Sequence, residues 1–196
     1  MNILVVTLHD DKMTQNLMQD LSEQWVMPKV RLFLNKDNMD LCRIWNEYYL
    51  STEDDLLCFL NNDTRISPNF VSDTVAIFDK EPEVGCVVHK QGDVSKWSEE
   101  LSYVIPDRKF CQGFDFSMRR KAYTLVPEDI RVFGGDDYLF YKLYENEWKV
   151  AVALSSPIIH YRAKSRRYYK YDRNEEMRSM MRYGCGTYPH GAHHVC

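Results

Sequence analysis

The stretch Leu56-Leu57-Cys58-Phe59-Leu60-Asn61-Asn62-Asp63 reads as a buried strand that runs straight into two amides and an acid. Thr64-Arg65-Ile66-Ser67-Pro68 then turns the chain toward a helix. Five apolar residues in a row, bounded by turn formers, suit a strand covered on both faces, as in a parallel α/β sheet. Such sheets bind ligands in the crevice beyond the carboxyl ends of their strands, where Asp63 falls. Its carboxylate offers hard oxygen to a divalent cation, and a cation there can carry a substrate's phosphates. Asn and Asp are also ordinary turn residues, so the stretch alone leaves both readings open.

Strands and helices alternate over the first 90 residues. Asn2 to Thr7 is a strand, and Met13 to Trp25 a helix with Leu17, Leu21 and Trp25 at helical spacing. Val30 to Leu34 is a second strand ending in Asn35-Lys36-Asp37-Asn38, and Met39 to Tyr49 a second helix. A third helix spans Pro68 to Lys80, with Ser67 as N-cap and Pro68 at its first position. Val84 to Val88 is a further strand. This order predicts a mostly parallel central sheet with helices on both faces. Gln91 to Arg108 reads as a polar excursion. Phe114 to Met118 is expected as a strand, Arg119 to Val126 as a helix, and Asp136 to Glu145 as another helix. Val150 to Leu154 and Ile158 to Tyr161 are two short strands, and Arg173 to Tyr183 is a last helix stopped by Gly184.

The 196 residues suffice for one domain with a sizeable core, and 44% apolar with 28% charged residues is ordinary for a globular protein. No apolar run approaches the roughly 20 residues that span a bilayer. The amino terminus lacks a basic region before its short apolar run, so the expected location is the cytoplasm, without membrane attachment. The six cysteines include no CxxC pair, which favours a reduced chain over a disulfide scaffold. Net charge is −4, but residues 160–183 carry eight bases against three acids, so a +5 segment sits on a body of −9. Such a segment attracts phosphates.

Two further stretches bear on chemistry. Phe133-Gly134-Gly135-Asp136-Asp137-Tyr138 leads two glycines into paired acids at a helix start. The acids could simply cap that helix, or hold a carboxylate where it takes a proton from a hydroxyl. His160, at the end of Ile158-Ile159-His160-Tyr161, is either a satisfied structural histidine or, with Asp63, part of a mixed O/N shell that suits Mn²⁺. Cys111-Gln112-Gly113-Phe114-Asp115-Phe116-Ser117-Met118-Arg119-Arg120 adds a glycine, a strand and a basic pair.

Taken in order, these pieces resemble GT-A fold glycosyltransferases, closest to the large family 2 group, over residues 1–162. The resemblance implies a GT-A-like, Rossmann-like catalytic domain at 1–162, with residues 163–196 an extension packed on or near the active site. Asn61-Asn62-Asp63 stands where the family has its DxD motif, with Asn replacing the first acid, and His160 stands at a late metal-binding His. Donor binding would fall to Thr7, Asn35, Asp37, Asn46, Asn61 and Asn62. The Gly-strand-Arg-Arg segment matches Gly113 to Arg120. Asp136-Asp137 matches the family's Glu-Asp pair, Asp137 as catalytic base and Asp136 as the acid that contacts the acceptor. The activity so implied is metal-dependent (Mn²⁺ or Mg²⁺), inverting transfer of a sugar from a nucleotide-sugar donor, UDP favoured, to an acceptor hydroxyl.

Arg162-Ala163-Lys164-Ser165-Arg166-Arg167-Tyr168-Tyr169-Lys170-Tyr171 interleaves bases with aromatics. It reads as a solvated loop, as a nucleic-acid groove, or as a segment closing over the donor diphosphate. Arg162, Lys164, Arg166 and Arg167 are its candidate acceptor or phosphate contacts. The chain also resembles small phage enzymes that add sugars to modified bases in DNA, which makes DNA a candidate acceptor. Cys185, His190, His193, His194 and Cys196 form either a zinc site of no standard spacing or a mobile tail. Two other functions compete: a sugar-phosphate nucleotidyltransferase, which would want a Gly-rich basic loop where Leu8-His9-Asp10-Asp11-Lys12 stands, and a nucleic-acid-binding protein on a degenerate transferase scaffold.

Overall fold

The computed structural model describes residues 1–8, 11–37, 39–161 and 173–185. Arg162, Lys164, Arg166 and Arg167, and His190, His193, His194 and Cys196 of the candidate zinc set, lie outside the described residues. Among the described residues, five α-helices and eight strands build an α/β fold around one mixed sheet: β1 (Asn2–Thr7), α1 (Lys12–Ser22), β2 (Lys29–Leu34), α2 (Leu41–Leu50), β3 (Leu56–Asn61), β4 (Thr64–Ile66), α3 (Phe70–Lys80), β5 (Val84–Gln91), β6 (Tyr103–Val104), β7 (Asp115–Arg119), α4 (Gly135–Glu145), β8 (Lys149–His160) and α5 (Arg173–Arg182). Strand order is β2-β1-β3-β7-β5-β8-β4, with β6 also on β8. β2, β1 and β3 run parallel, as do β5 and β8, while β7 lies antiparallel between the two groups.

Side-chain alternation assigns each face its helices, because successive strand residues point to opposite sides. Leu4, Leu57 and Phe59 pack with Cys42, Trp45 and Tyr48 of α2 and Leu139, Phe140 and Leu143 of α4. Their neighbours Ile3, Val5, Cys58 and Leu60 pack on Leu17 and Leu21 of α1 and Phe70 and Val71 of α3. Phe59 and Phe116 stack 4.9 Å apart between β3 and β7, and Trp45 meets Phe116 edge-on at 5.3 Å. Offset and edge-on aromatic packing of this kind adds about 1 kcal/mol per pair beyond burial.

Four local expectations are corrected. Thr64 to Ile66 is not a turn but a strand, antiparallel to β8. The two expected strands at 150–161 are one long strand; a register irregularity between His89 and Gln91 absorbs Pro157, whose missing N–H is tolerated at such a break. The helix expected over 119–126 is a single 3₁₀ turn, Arg120–Ala122. Asn46 takes both backbone groups of Val126, so these never enter a helical ladder. The basic pair is likewise spent on carbonyls at helix ends: Arg119 donates to Phe78 and Glu81, Arg120 to Tyr49 and Thr52. Finally, α3 starts at Phe70 with Asn69 as cap residue, leaving Ser67 and Pro68 outside it.

The carboxyl-terminal helix belongs to the same body. Buried Glu176 of α5 accepts from the backbone N–H groups of Val132 and Phe133, and Met180 packs against Gly134. α5 thereby grips the loop that leads into α4, and Gly184, at φ +79°, follows its last residues. Among the described residues no helix is long and apolar enough to cross a membrane.

Candidate active site

The site is assembled at the carboxyl tips of β1, β3 and β8. Thr64 pairs with His160 across β4 and β8, and Tyr161 N–H donates to the Asp63 carbonyl at 2.9 Å. This main-chain ladder brings the Asp63 and His160 side chains together, with Nε2 3.3 Å from Oδ1. Asp63 is buried and His160 only 15% exposed, so an imidazole and a carboxylate share a sheltered spot at the strand tips. Two cis ligands of one octahedral divalent ion, each at about 2.1 Å, lie about 3 Å apart, close to the spacing seen. The residues therefore fit a hard or borderline cation. Phe114 stacks on the His160 ring, centroids 4.3 Å apart and planes 17° from parallel, and so fixes its orientation.

Asn62 holds the neighbouring tip. Its Nδ2 donates to Thr7 Oγ1 at 3.1 Å and Thr14 Oγ1 at 3.0 Å, and the two hydroxyls lie 3.2 Å apart. Asp11 caps α1 by accepting from Met13 and Thr14 N–H, which seats this network at the helix start. Asn61 joins the same tip through its backbone, N–H donating to the Phe114 carbonyl. Two other expected donor contacts have internal partners. Buried Asn35 exchanges two hydrogen bonds with the Met39 backbone, closing the loop on which Asp37 is exposed. Asn46 Nδ2 donates to Val126 O, while its Oδ1 accepts from Val126 N–H and Tyr123 OH. Contact with a nucleotide through either amide would displace protein hydrogen bonds.

The acid pair lies at the amino terminus of α4. Gly134 precedes it at φ +90°, a left-handed conformation that a side chain strains, and a Cβ there would meet Met180 Sδ at 2.0 Å. Cys111 Sγ donates to Asp137 Oδ1 at 3.4 Å. Asp136 lies against the Gly113 backbone, where an added Cβ would sit 1.9 Å from its Oδ2. Burial, then the adjacent Asp137 carboxylate, pushes the Asp136 carboxyl up to about 7, against the pull of backbone N–H donors. The ligand atoms of Cys111, Asp136 and Asp137 lie within 4.8 Å of one another. However, burial raises the Cys111 thiol well above its usual range, and a protonated thiol is a poor ligand. Asp63 and His160 are the better cation donors.

Residues 111–114 connect the halves. Cys111 and Gly113 face Asp137 and Asp136; Phe114, next in the chain, covers His160. The glycine, strand and basic pair of this stretch are visible in the sequence, whereas Cys111, Gln112 and Phe114 take their roles from partners far away in the chain. Glu176, one of three acids in the basic 160–183 segment, is a further residue of structural importance, and its isolation among bases is the sequence signal for it.

Two predictions arise here. Burial and the neighbouring Asp137 carboxylate make the folded protein hold the Asp136 proton to higher pH than the unfolded chain does. Its contribution is fully present below about pH 4 and is lost as pH rises through 7, because the unfolded chain ionises first. Asp136→Asn is therefore expected to stabilise the fold at pH 8, with the gain vanishing toward pH 4. Urea unfolding at both pH values measures this; equal effects at both would contradict it. A Cβ on Gly135 would fall 2.3 Å from Cys42 Sγ and 3.0 Å from Trp45. Gly135→Ala should cost about 1–3 kcal/mol by overpacking, read as a lowered urea midpoint.

The fold is that of the GT-A glycosyltransferases. Sequence comparison finds no matching family model and no match among curated proteins. Solved structures do match. S. aureus TarS 1–349 in complex with UDP-GlcNAc superposes with a TM-score of 0.63 at 13% identity, covering 91% of this chain and 64% of that one. GalNAc-T7 with UDP, GalNAc and Mn²⁺ gives 0.65 at 11% identity, covering 91% and 47%. Glucosyl-3-phosphoglycerate synthase from Mycobacterium tuberculosis, with Mn²⁺, UDP and glucosyl-3-phosphoglycerate, gives 0.65 at 10% identity, covering 93% and 79%. The chain thus spans about half the length of GalNAc-T7 and under two thirds of TarS 1–349.

Proposed function

We propose that the protein is a glycosyltransferase that moves a sugar from a UDP-sugar to an acceptor hydroxyl, with inversion, using Mn²⁺ or Mg²⁺. The observation that carries this reading is the meeting of Asp63 and His160, joined through Phe114 and Gly113 to the Asp136-Asp137 pair. Fold likeness to proteins holding UDP and Mn²⁺ supports it. A divalent cation held by Asp63 and His160 would supply Lewis acidity to the leaving diphosphate. Asp137 takes the acceptor's proton as its oxygen bonds to the anomeric carbon. The bond from that carbon to the diphosphate breaks, and UDP leaves with the electron pair. The basic side chains Arg162, Lys164, Arg166 and Arg167 are suited to the diphosphate or to a polyanionic acceptor.

The acceptor we favour testing first is a hydroxyl on a modified base in DNA, because the 162–171 segment pairs cationic with stacking side chains. Residues 163–196 serve in this reading as an extension of the catalytic domain, and the setting is the cytoplasm. The test is mass spectrometry of products from a panel of UDP-sugars with hydroxymethylated DNA, glycans and small hydroxyl acceptors, with Mn²⁺ and with chelator. Metal-dependent sugar addition supports the reading. Release of pyrophosphate from a sugar phosphate and a nucleoside triphosphate would identify a nucleotidyltransferase. DNA binding that weakens with salt, without turnover of any donor, would identify a binding protein instead.

A further inference from the structure

We infer that Gln112 is a positioning residue that holds the 111–114 strap, and through it sets the separation of the Asp63–His160 pair from the Asp136–Asp137 pair. The inference rests on the proposed transferase reading for its kinetic consequence, but its structural half stands alone. Under the strap lies a dyad with no exposure: His89 Nδ1 is 2.9 Å from Asp115 Oδ2, and His89 N–H donates to the same oxygen at 2.8 Å. Thr74 Oγ1 meets His89 Nε2 at 3.2 Å, and Phe70 stacks on the imidazole at 4.0 Å. The dyad is thus clamped from α3, β5 and β7.

Gln112, itself buried, is the one strap side chain that reaches the dyad. Its Nε2 donates to the His89 carbonyl at 3.1 Å and to Asp115 Oδ2 at 3.3 Å, with the Asp115 carbonyl at 3.5 Å. Upstream, Tyr144 of α4 holds the strap at Phe110, its OH accepting from Phe110 N–H and donating to Phe110 O. Between and beyond these anchors, each remaining residue touches a different part of the site: Cys111 touches Asp137, Gly113 abuts Asp136, and Phe114 covers His160.

The dyad's composition argues for placement over stability. Asp115 Oδ1 is buried and has no hydrogen-bond partner among the described residues. A buried ionic or polar cluster that is incompletely satisfied stabilises little compared with well-packed apolar side chains. What it does supply is directional: a single side-chain position, hence a single strap path. Displacing reacting groups by about 1 Å can cost on the order of 100-fold in rate, so the consequence should fall on turnover.

The experiment compares wild type with Gln112→Leu by two readouts. The first is alkylation of each cysteine in the folded protein, mapped by peptide mass spectrometry. Cys111 should become labelled at least about tenfold faster, while Cys58 and Cys86, buried in β3 and β5, stay protected. The second is steady-state transfer: kcat should fall about 10–100-fold with KM for the UDP-sugar within about threefold. Unchanged Cys111 protection, or unchanged kcat, overturns the inference. Faster labelling of all three cysteines makes Gln112 a general stability residue and also overturns it. Should Gln112→Leu not fold, Gln112→Met, which keeps the unbranched stem, is read in the same way; failure of both to fold makes Gln112 a general stability residue and overturns the inference. If wild type transfers no sugar, the function reading fails, and the labelling arm still decides whether Gln112 holds the strap.

Discussion

Asp137→Asn is expected to lower sugar transfer by about 10³-fold or more while UDP binds nearly as well as to wild type. The amide keeps the shape of the carboxylate and can still accept from Cys111, so the first turn of α4 should remain in place. It cannot take a proton from the acceptor, and general-base catalysis is worth roughly 10²–10⁴-fold. Loss of kcat with an unchanged UDP dissociation constant is the pattern of a group that acts only in the transition state. Full turnover in the variant would remove Asp137 from the chemistry. Parallel loss of UDP binding would instead place it in the donor site.

Asp63→Ala is expected to abolish Mn²⁺-dependent stabilisation by UDP, weakening UDP binding in Mn²⁺ by about 100-fold. Asn61-Asn62-Asp63, at the carboxyl tip of β3, carries a single carboxylate, so Asp63 is the one anionic side chain of that stretch. Removing it leaves His160 to face a cation without an anionic partner, and imidazole alone satisfies Mn²⁺ poorly. Thermal shift with UDP, with Mn²⁺ and with both separates the cases, since ligand binding raises the melting temperature by mass action. Wild type should show a shift with the pair that exceeds the sum of the single shifts. An Asp63→Ala protein with the same excess would relocate the cation.

The layers of the fold were legible because strand and helix periods are local. The run at 56–60 and the spacing of Leu17 and Leu21 needed no tertiary knowledge to read. Failures came where side chains capture backbone groups over long range. Asn46 takes Val126, 80 positions away, and no local pattern signals that a helix at 119–126 will be pre-empted. Likewise Thr64 to Ile66 is a strand only because the end of β8 lies beside it. At the candidate site, residue type and position marked Asp63 and His160 at strand ends and the acid pair at a helix start as candidates. The strap between them stayed hidden, since Gln112, Gly113 and Phe114 take their roles from neighbours at residues 89, 136 and 160.

Electron spin-echo spectroscopy of Mn²⁺ bound with UDP measures the metal shell itself. Wild type should show nitrogen modulation from a directly coordinated imidazole, absent in His160→Ala and unaffected by His89→Gln. Mn²⁺·UDP bound without imidazole nitrogen, or with the same modulation after His160 is removed, would contradict coordination by His160.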